Sequence, residues 1–207
     1  MTVTHSKYTR IIPLCSFLLL SLAGCFGKSP PPDFYLLEPL TETGATPRAQ
    51  QQAQRPVVAL SPVSLPKYVD RTQIVQATAR NSYQLNENQR WAEPLSDNID
   101  RVLAENLARL IPADVVSPNS SSLARQAEIR IQITIVEFHV TPEQSALLRA
   151  QWNIRDGDKI AESRQSEYRI PASSSDYRLM VNALNGCIDR LSRDVADAAR
   201  QQIQPDS

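Results

Sequence analysis

Alternating apolar and polar positions predict the strands of a sheet. In 127–140 the residues Ile129, Ile131, Ile133 and Ile135 share one face, and polar residues share the other. After Ile135 the alternation shifts by one residue, which predicts a β-bulge or a strand end covered on both faces. Similar patterns predict strands at 33–37, 57–65, 115–116, 146–155 and 159–170, with a tight turn at 156–158, and a hairpin with arms 72–79 and 82–85.

Two segments have the period of an amphipathic helix. The first, 94–111, has Pro94 at the predicted first helical position and ends before Pro112. The second runs from about 176 to 202, and its predicted N-cap is Ser174 or Ser175. The elements together predict an α+β fold, a single domain in which a mixed, mostly antiparallel sheet packs against two main helices.

The segment 38–56 is rich in Gln, Thr and Pro and has no periodicity. This composition predicts a flexible polar loop or a linker. A loop of that length is unusual inside a compact domain, so the segment could instead separate a tether from the fold.

The first 24 residues have the pattern of a secretory signal. Lys7 and Arg10 precede an apolar run at 11–22, which Pro13 interrupts and which is shorter than the ~20 residues of a membrane-spanning helix. A signal is therefore favoured over a transmembrane anchor. The run ends in Leu22-Ala23-Gly24-Cys25, which resembles the bacterial lipobox.

The lipobox resemblance implies that Cys25 is lipidated and that 1–24 is removed. The expected organisation is a signal peptide at 1–24, a lipidated tether at 25–32 and a folded domain at 33–203. Several acyl chains make a stable anchor, whereas a single chain binds only marginally. Phe26, and not Asp, follows the cysteine, and by resemblance to enterobacterial lipoproteins this favours the outer membrane.

The charge balance and the cysteine content limit the partners and the disulfide bonds that can be expected. The chain has 22 basic and 22 acidic residues, which gives no reason to expect nucleic acid or an anionic membrane surface as a partner. Of the three cysteines, Cys15 would leave with the signal and Cys25 would carry lipid. Only Cys187 remains, so no intramolecular disulfide is expected.

The residues give little support for catalysis. His5 would be removed with the predicted signal, so His139 would be the only histidine that a catalytic site could use. We interpret His139 as a polar residue at a strand end. Asp156 and Asp158 fit a hairpin turn better than a calcium loop, and Cys187 lies on the apolar stripe of the second helix. The sequence therefore predicts no enzyme, no metal site and no cofactor.

Four stretches carry a family resemblance: FYLL at 34–37, LPKYVDRTQIV at 65–75, RWAEPLSDNIDRVLAENLARL at 90–110, and DYRLMVNALNGCIDRLSRDVA at 176–196. In this order after a lipobox they resemble the ABC-transport auxiliary lipoprotein family, also called PqiC or YmbA. The resemblance implies a non-catalytic lipoprotein, anchored in the outer membrane and facing the periplasm. It would be an auxiliary docking subunit of an MCE-type system that transports lipid between membranes.

The partners implied are an MCE-domain, PqiB-like protein that spans the periplasm and its inner-membrane components. A homo-oligomer is also possible from the sequence. The alternative function is that of a periplasmic lipid- or solute-binding lipoprotein or of an envelope assembly factor. The candidate partner-contact residues are Tyr68, Asp70, Arg71 and Trp91. Asp70 and Arg71 could equally pair with each other, and Trp91 is more typical of a core cap than of an interface anchor.

Overall fold

The computed structural model describes residues 30–41, 55–117, 121–173 and 175–203. The chain divides into two units, Met1–Pro31 and Pro32–Ser207, and Pro30 and Pro31 are the described residues of the first. Cys25 and the predicted signal lie outside the described residues. In the second unit the strands are β1 Asp33–Tyr35, β2 Val57–Leu60, β3 Gln73–Ala79, β4 Ser82–Trp91, β5 Asp114–Val116, β6 Ile129–Val140, β7 Ser145–Asp156 and β8 Lys159–Pro171, and the helices are α1 Leu95–Leu110, α2 Ser121–Ala124 and α3 Tyr177–Ile203.

The described strands form one mixed sheet, with β6 near its centre. β6 pairs with β7 in antiparallel fashion along one edge, and β8 continues that side. Its other edge pairs in parallel with β2 and, at its end, with β3. The antiparallel β3–β4 hairpin and the parallel β1 extend the sheet from there, while β5 lies beside β2. The longest strand pairings, β6 with β7 and β7 with β8, are antiparallel. The prediction of an α+β fold with a mixed, mostly antiparallel sheet is therefore confirmed.

The predicted bulge in β6 is present. Ile135 pairs with Ala150 and Glu137 pairs with Arg149, so Val136 is the extra residue between them. The bulge returns Phe138 to the buried face, where it is 2% exposed. The predicted hairpin turn at Arg80 and Asn81 is also present, with Asn81 at a φ of 62°, a conformation that asparagine tolerates better than most residues.

Three local predictions need correction. β4 continues beyond Leu85 to Trp91, because Gln89, Arg90 and Trp91 pair with β1 and Arg90 also pairs with Gln73 of β3. Pro94 precedes the first turn of α1 with a ψ of 129° and so is not its first helical residue. Asp176, not Ser175, caps α3: its Oδ1 accepts hydrogen bonds from the backbone N–H of Arg178 and Leu179 (2.9 and 3.2 Å).

One face of the sheet is covered by α1 and α3, and the core lies between these two layers. A continuous cluster of buried side chains fills this space, including Ile99, Leu103 and Leu107 of α1, the isoleucines of β6, and Leu184, Ile188 and Leu191 of α3. Cys187 is fully buried in this cluster, and burial raises the pKa of its thiol to about 12. The interpretation of Cys187 as a core thiol is confirmed.

Candidate functional site

The loop 66–72 is the last part of the connection between β2 and β3 and holds most of the candidate contact residues. It closes as a tight turn in which the N–H groups of Val69 and Asp70 donate to the carbonyl of Pro66 (3.0 and 3.2 Å). Val69 is 1% exposed and fixes the loop to the core. Asp70 and Arg71 are exposed on the outer side of this turn. The loop therefore presents two charged side chains from a rigid base.

Trp91 belongs mainly to the core. Its side chain is 5% exposed, and its backbone N–H donates to the carbonyl of Thr72 (2.8 Å). The next residue, Ala92, donates to the carbonyl of Tyr35 on β1 (2.9 Å). These two bonds fasten the end of β4 to the loop and to β1 immediately before α1 begins.

A surface groove results from this arrangement, and we call it the Trp91 groove. Its volume is about 550 Å3, and it is lined by Phe34, Asp70, Arg71, Thr72, Arg90, Trp91, Ala92, Glu93, Pro94, Leu95 and Ser96. Among the described residues no ion pair joins Asp70 to Arg71. The structure thus brings Asp70, Arg71 and Trp91 together in one groove with charged rims and an aromatic residue in its wall.

Tyr68 lies in a different place. Its Oη is 3.1 Å from Nδ1 of His139, and its ring centroid is 5.0 Å from that of Tyr83. The Tyr83 ring also meets His139 edge-on at 5.4 Å. Tyr68 is half-buried, and burial raises the pKa of its phenol above the usual range. Tyr68 thus joins a second cluster, on β4 and β6, that local sequence reading did not predict.

His139 is buried by this aromatic cluster, with 6% of its surface exposed. Desolvation lowers the pKa of its imidazole, Glu137 opposes this shift and Arg169 adds to it. We expect an NMR titration of the full chain to give His139 a pKa below its ordinary value of 6.5. Tyr83→Ala should move this pKa upward because it uncovers the ring, and His139→Gln assigns the signal against His5.

The same shift predicts how stability depends on pH. The unfolded chain protonates His139 at a higher pH than the folded chain does, so the free energy of unfolding should decrease as pH falls from 6.5 through the folded pKa. Urea unfolding across this range should show a smaller decrease for His139→Gln. An equal pH dependence in both proteins would contradict the assignment.

Three asparagines, which sequence reading missed, hold the segment that follows β1. Asn98 on α1 accepts from the N–H of Leu37 (2.8 Å) and donates to its carbonyl (3.1 Å). Asn106, also on α1, accepts from the N–H of Leu40 (2.8 Å), and Asn185 on α3 accepts from the N–H of Glu38 (2.7 Å). We call these residues the asparagine clamp.

The clamp has a consequence for the predicted loop 38–56. Of its first four residues, Glu38 and Leu40 form hydrogen bonds to α3 and α1, while 42–54 lies outside the described residues. A sequence signal for the clamp did exist. Asn98 and Asn106 stand eight residues apart on the apolar face of α1 and are 1% and 0% exposed. A polar residue at such positions must find a partner, since its burial without one is costly.

A second surface groove, of about 410 Å3, lies beside the clamp, between the β1 region and α3. It is lined by Phe34, Tyr35, Leu36, Glu38, Pro39, Leu40, Thr41, Arg178, Val181, Asn182, Asn185 and Asp189. Burial raises the pKa of Asp189, and hydrogen bonds from Asn185 and Asn106 oppose that shift. Both grooves open at the surface, and Phe34 borders each of them.

Two further observations concern the described part of the chain. In residues 30–41, 55–117, 121–173 and 175–203, no three His, Cys, Asp or Glu side chains gather as metal ligands would. Within the same ranges, none of the helices combines the length and apolar character needed to cross a membrane.

Known proteins are similar to this chain over nearly its whole length. The intermembrane transport lipoprotein PqiC of Escherichia coli K12 is 22% identical over 188 residues, which cover 91% of this chain and 97% of that protein. PqiC of Shigella flexneri matches equally. The crystal structure of an uncharacterized protein shares the fold with a TM-score of 0.68 at 18% identity, covering 82% of this chain and 99% of that one.

Protein XCC0632 from Xanthomonas campestris shares the fold as well, with a TM-score of 0.62 at 14% identity over 83% of this chain and 99% of its own. At such identities the structures establish the fold alone. The family model for the ABC-type transport auxiliary lipoprotein component matches residues 35–196, which include the loop 66–72, the asparagine clamp and all of the Trp91 groove except Phe34. The chain therefore belongs to the family of ABC-type transport auxiliary lipoprotein components.

Proposed function

We propose that the chain is an outer-membrane lipoprotein, anchored through Cys25 and facing the periplasm, that serves as the docking subunit of an MCE-type lipid transport system. In this role it binds the end of an MCE-domain, PqiB-like protein and catalyses no reaction. The observation that carries the proposal is the family match over residues 35–196. The lipobox at 22–25 supplies the anchor, and the name of the PqiC relatives supports intermembrane transport.

The Trp91 groove is the proposed docking site, with Asp70 and Arg71 as its charged contacts. Both are exposed on a rigid turn, and charged groups of this kind steer a partner and set its register. Trp91 contributes to the wall of the groove from a buried position. Tyr68 would contact the partner only through the neighbouring cluster with Tyr83.

The structure supports docking over a role as a lipid carrier. A carrier with its own pocket needs an apolar cavity that encloses most of its ligand. The space between the sheet and the helices is instead filled by the continuous cluster of buried side chains. The two grooves described above are open to solvent and lie outside this cluster.

The test is a capture experiment from crosslinked cell envelopes. The wild-type protein should recover an MCE-domain protein and incorporate labelled palmitate. Cys25→Ala should lack the palmitate label and leave the outer-membrane fraction, since Cys25 is the proposed acylated residue. Arg71→Glu should stay in the membrane but recover less of the partner, whereas Arg80→Glu, an exposed charge change at the β3–β4 turn, should recover as much as the wild type.

A different result would contradict each part of the proposal: the anchor, the docking role and the contact site. Palmitate label on Cys25→Ala would sink the anchor. Capture of other envelope proteins without any MCE-domain protein would sink the docking role. Equal capture by Arg71→Glu and Arg80→Glu would remove the Trp91 groove as the contact site but leave the docking role standing.

A further inference from the structure

β1 presents its apolar side chains to water. Phe34 is 61% exposed and Leu36, directly after the strand, is 41% exposed. Tyr35, between them, turns the other way: its Oη donates to Oε1 of Gln89 (2.6 Å), and its ring lies 6.5 Å from that of Tyr177. We call Phe34 and Leu36 the β1 patch. The outward aromatic and aliphatic residues expose apolar surface at a rigid position.

The β1 patch lies between two grooves whose charged side chains are of both signs: Asp70, Glu93, Arg71 and Arg90 in the Trp91 groove, and Glu38, Asp189 and Arg178 in the groove beside the clamp. Phe34 borders both grooves, and each groove contributes an exposed arginine, Arg71 from the Trp91 groove and Arg178 from the groove beside the clamp. Neither arginine forms an ion pair with a described residue, whereas Arg90 nearby is paired with Glu87 (3.3 Å). A guanidinium group without a carboxylate partner is suited to bind a phosphate group.

The chain length places the patch close to the proposed anchor. Phe34 follows Cys25 by nine residues, so the two are at most about 32 Å apart even in a fully extended chain. The three prolines at 30–32 favour an extended, semi-rigid spacer. β1 is the first strand that follows Cys25 in the sequence.

We propose that the β1 patch inserts into the interfacial layer of the membrane that holds the lipid anchor, while Arg178 binds a lipid phosphate. This inference rests on the proposed anchor at Cys25. Exposed Phe and Leu side chains enter the membrane interface in amphipathic helices, and the β1 patch presents the same side chains from a strand. The contact orients the domain with β1 and the start of α1 toward the lipid.

A lipid surface suits this patch better than a protein does. A stable protein interface buries on the order of 1,600 Å2 in total, far more than two side chains provide. A tethered domain needs no such area, because the anchor already holds it at a high effective concentration near the membrane. Even weak insertion of the β1 patch is then sufficient to fix one orientation.

The test uses the mature lipidated protein in vesicles of phosphatidylethanolamine and phosphatidylglycerol. An environment-sensitive fluorophore is attached at Phe34→Cys or Leu36→Cys, since Cys187 is fully buried and Cys25 is acylated. The matched control is Ile160→Cys at the β7–β8 turn, where the side chain is 60% exposed. We expect nitroxide-labelled lipids to quench the probe at 34 and 36 at least threefold more than at 160, with a blue-shifted emission.

The outcomes separate the contact from the anchor. Equal quenching at 34 and 160 in acylated protein overturns the membrane contact and leaves the anchor intact. A blue shift at 34 without quenching by nitroxide lipids also overturns it, and indicates that a second copy or another protein covers the patch. Protein with unmodified Cys25, identified by its mass, overturns the anchor and the contact with it.

Discussion

Replacing Trp152 by alanine should lower the free energy of unfolding by about 3–5 kcal/mol. Trp152 is 2% exposed on β7, where it is paired with Ile133 of the neighbouring strand β6. Its Nε1 donates to Oγ of Ser166 (3.1 Å), and the guanidinium of Arg164 lies 5.5 Å from the ring centroid. The truncation removes a large apolar surface, leaves a cavity and ends both polar contacts. The loss is a large fraction of the ~5–15 kcal/mol that stabilises a typical domain.

Urea unfolding followed by far-ultraviolet circular dichroism measures this change. The matched control is Gln151→Ala, because residue 151 is exposed on the opposite face of the same strand and should change stability by less than about 0.5 kcal/mol. Trp152→Phe should give an intermediate loss, since it keeps part of the buried surface. Equal stability of Trp152→Ala and Gln151→Ala would show that β7 does not bury this side chain in solution.

Replacing Asn106 by leucine should lower the free energy of unfolding by about 2–4 kcal/mol, although leucine is similar in size and more apolar. Asn106 is fully buried and joins three elements. Its Oδ1 accepts from Leu40 N–H (2.8 Å), and its Nδ2 donates to Oγ of Ser192 on α3 (3.0 Å). Leucine leaves the Leu40 N–H without its hydrogen bond, at about 1–3 kcal/mol for an unsatisfied buried group. It also removes the bond that Ser192 Oγ accepts, worth about 0.5–1.5 kcal/mol, although this hydroxyl still donates to the carbonyl of Ile188 (2.8 Å).

Asn182→Leu is the matched control, because Asn182 is exposed on α3 and no buried group depends on it. Asn106→Asp adds a second test. A buried carboxylate near Asp189, whose Oδ1 is 3.5 Å from Asn106 Nδ2, should have a raised pKa. The stability of this variant relative to wild type should therefore improve as pH falls, the reverse of the trend expected for His139. A pH-independent difference would argue against a buried charge at this position.

The asparagine clamp connects stability to the proposed function. It fixes the segment 37–40 and so holds β1, which borders both grooves and carries the β1 patch. We expect loss of the clamp to disturb the proposed membrane contact before it disturbs the 66–72 loop, since Val69 anchors that loop independently. On the two proposals taken together, the Trp91 groove lies beside the membrane surface, where a partner that delivers lipid has to end.

Local patterns predicted much of the fold because periodicity is a local property. The alternation of isoleucines in β6, its shift after Ile135 and the apolar stripes of α1 and α3 all depend on residues a few positions apart. The lipobox and the family blocks are local as well, so the expected anchor at Cys25 and the family assignment needed no coordinates. The end of β4 was missed for the same reason, since its strand conformation depends on pairing with β1 and β3.

The grouping of the candidate residues depended on the tertiary structure. Tyr68 and His139 are 71 residues apart, and Leu40 and Asn106 are 66 apart. Periodicity shows which face of an element is apolar, but it does not show what covers that face or which polar residue meets a distant backbone group. The parallel pairing of β1 with β4 places Phe34 beside Trp91 at the groove, whereas the contact of Tyr68 with His139 places Tyr68 outside it. Contacts between distant segments form only when the sheet and helices pack together, so the fold alone decided the shape of the candidate site.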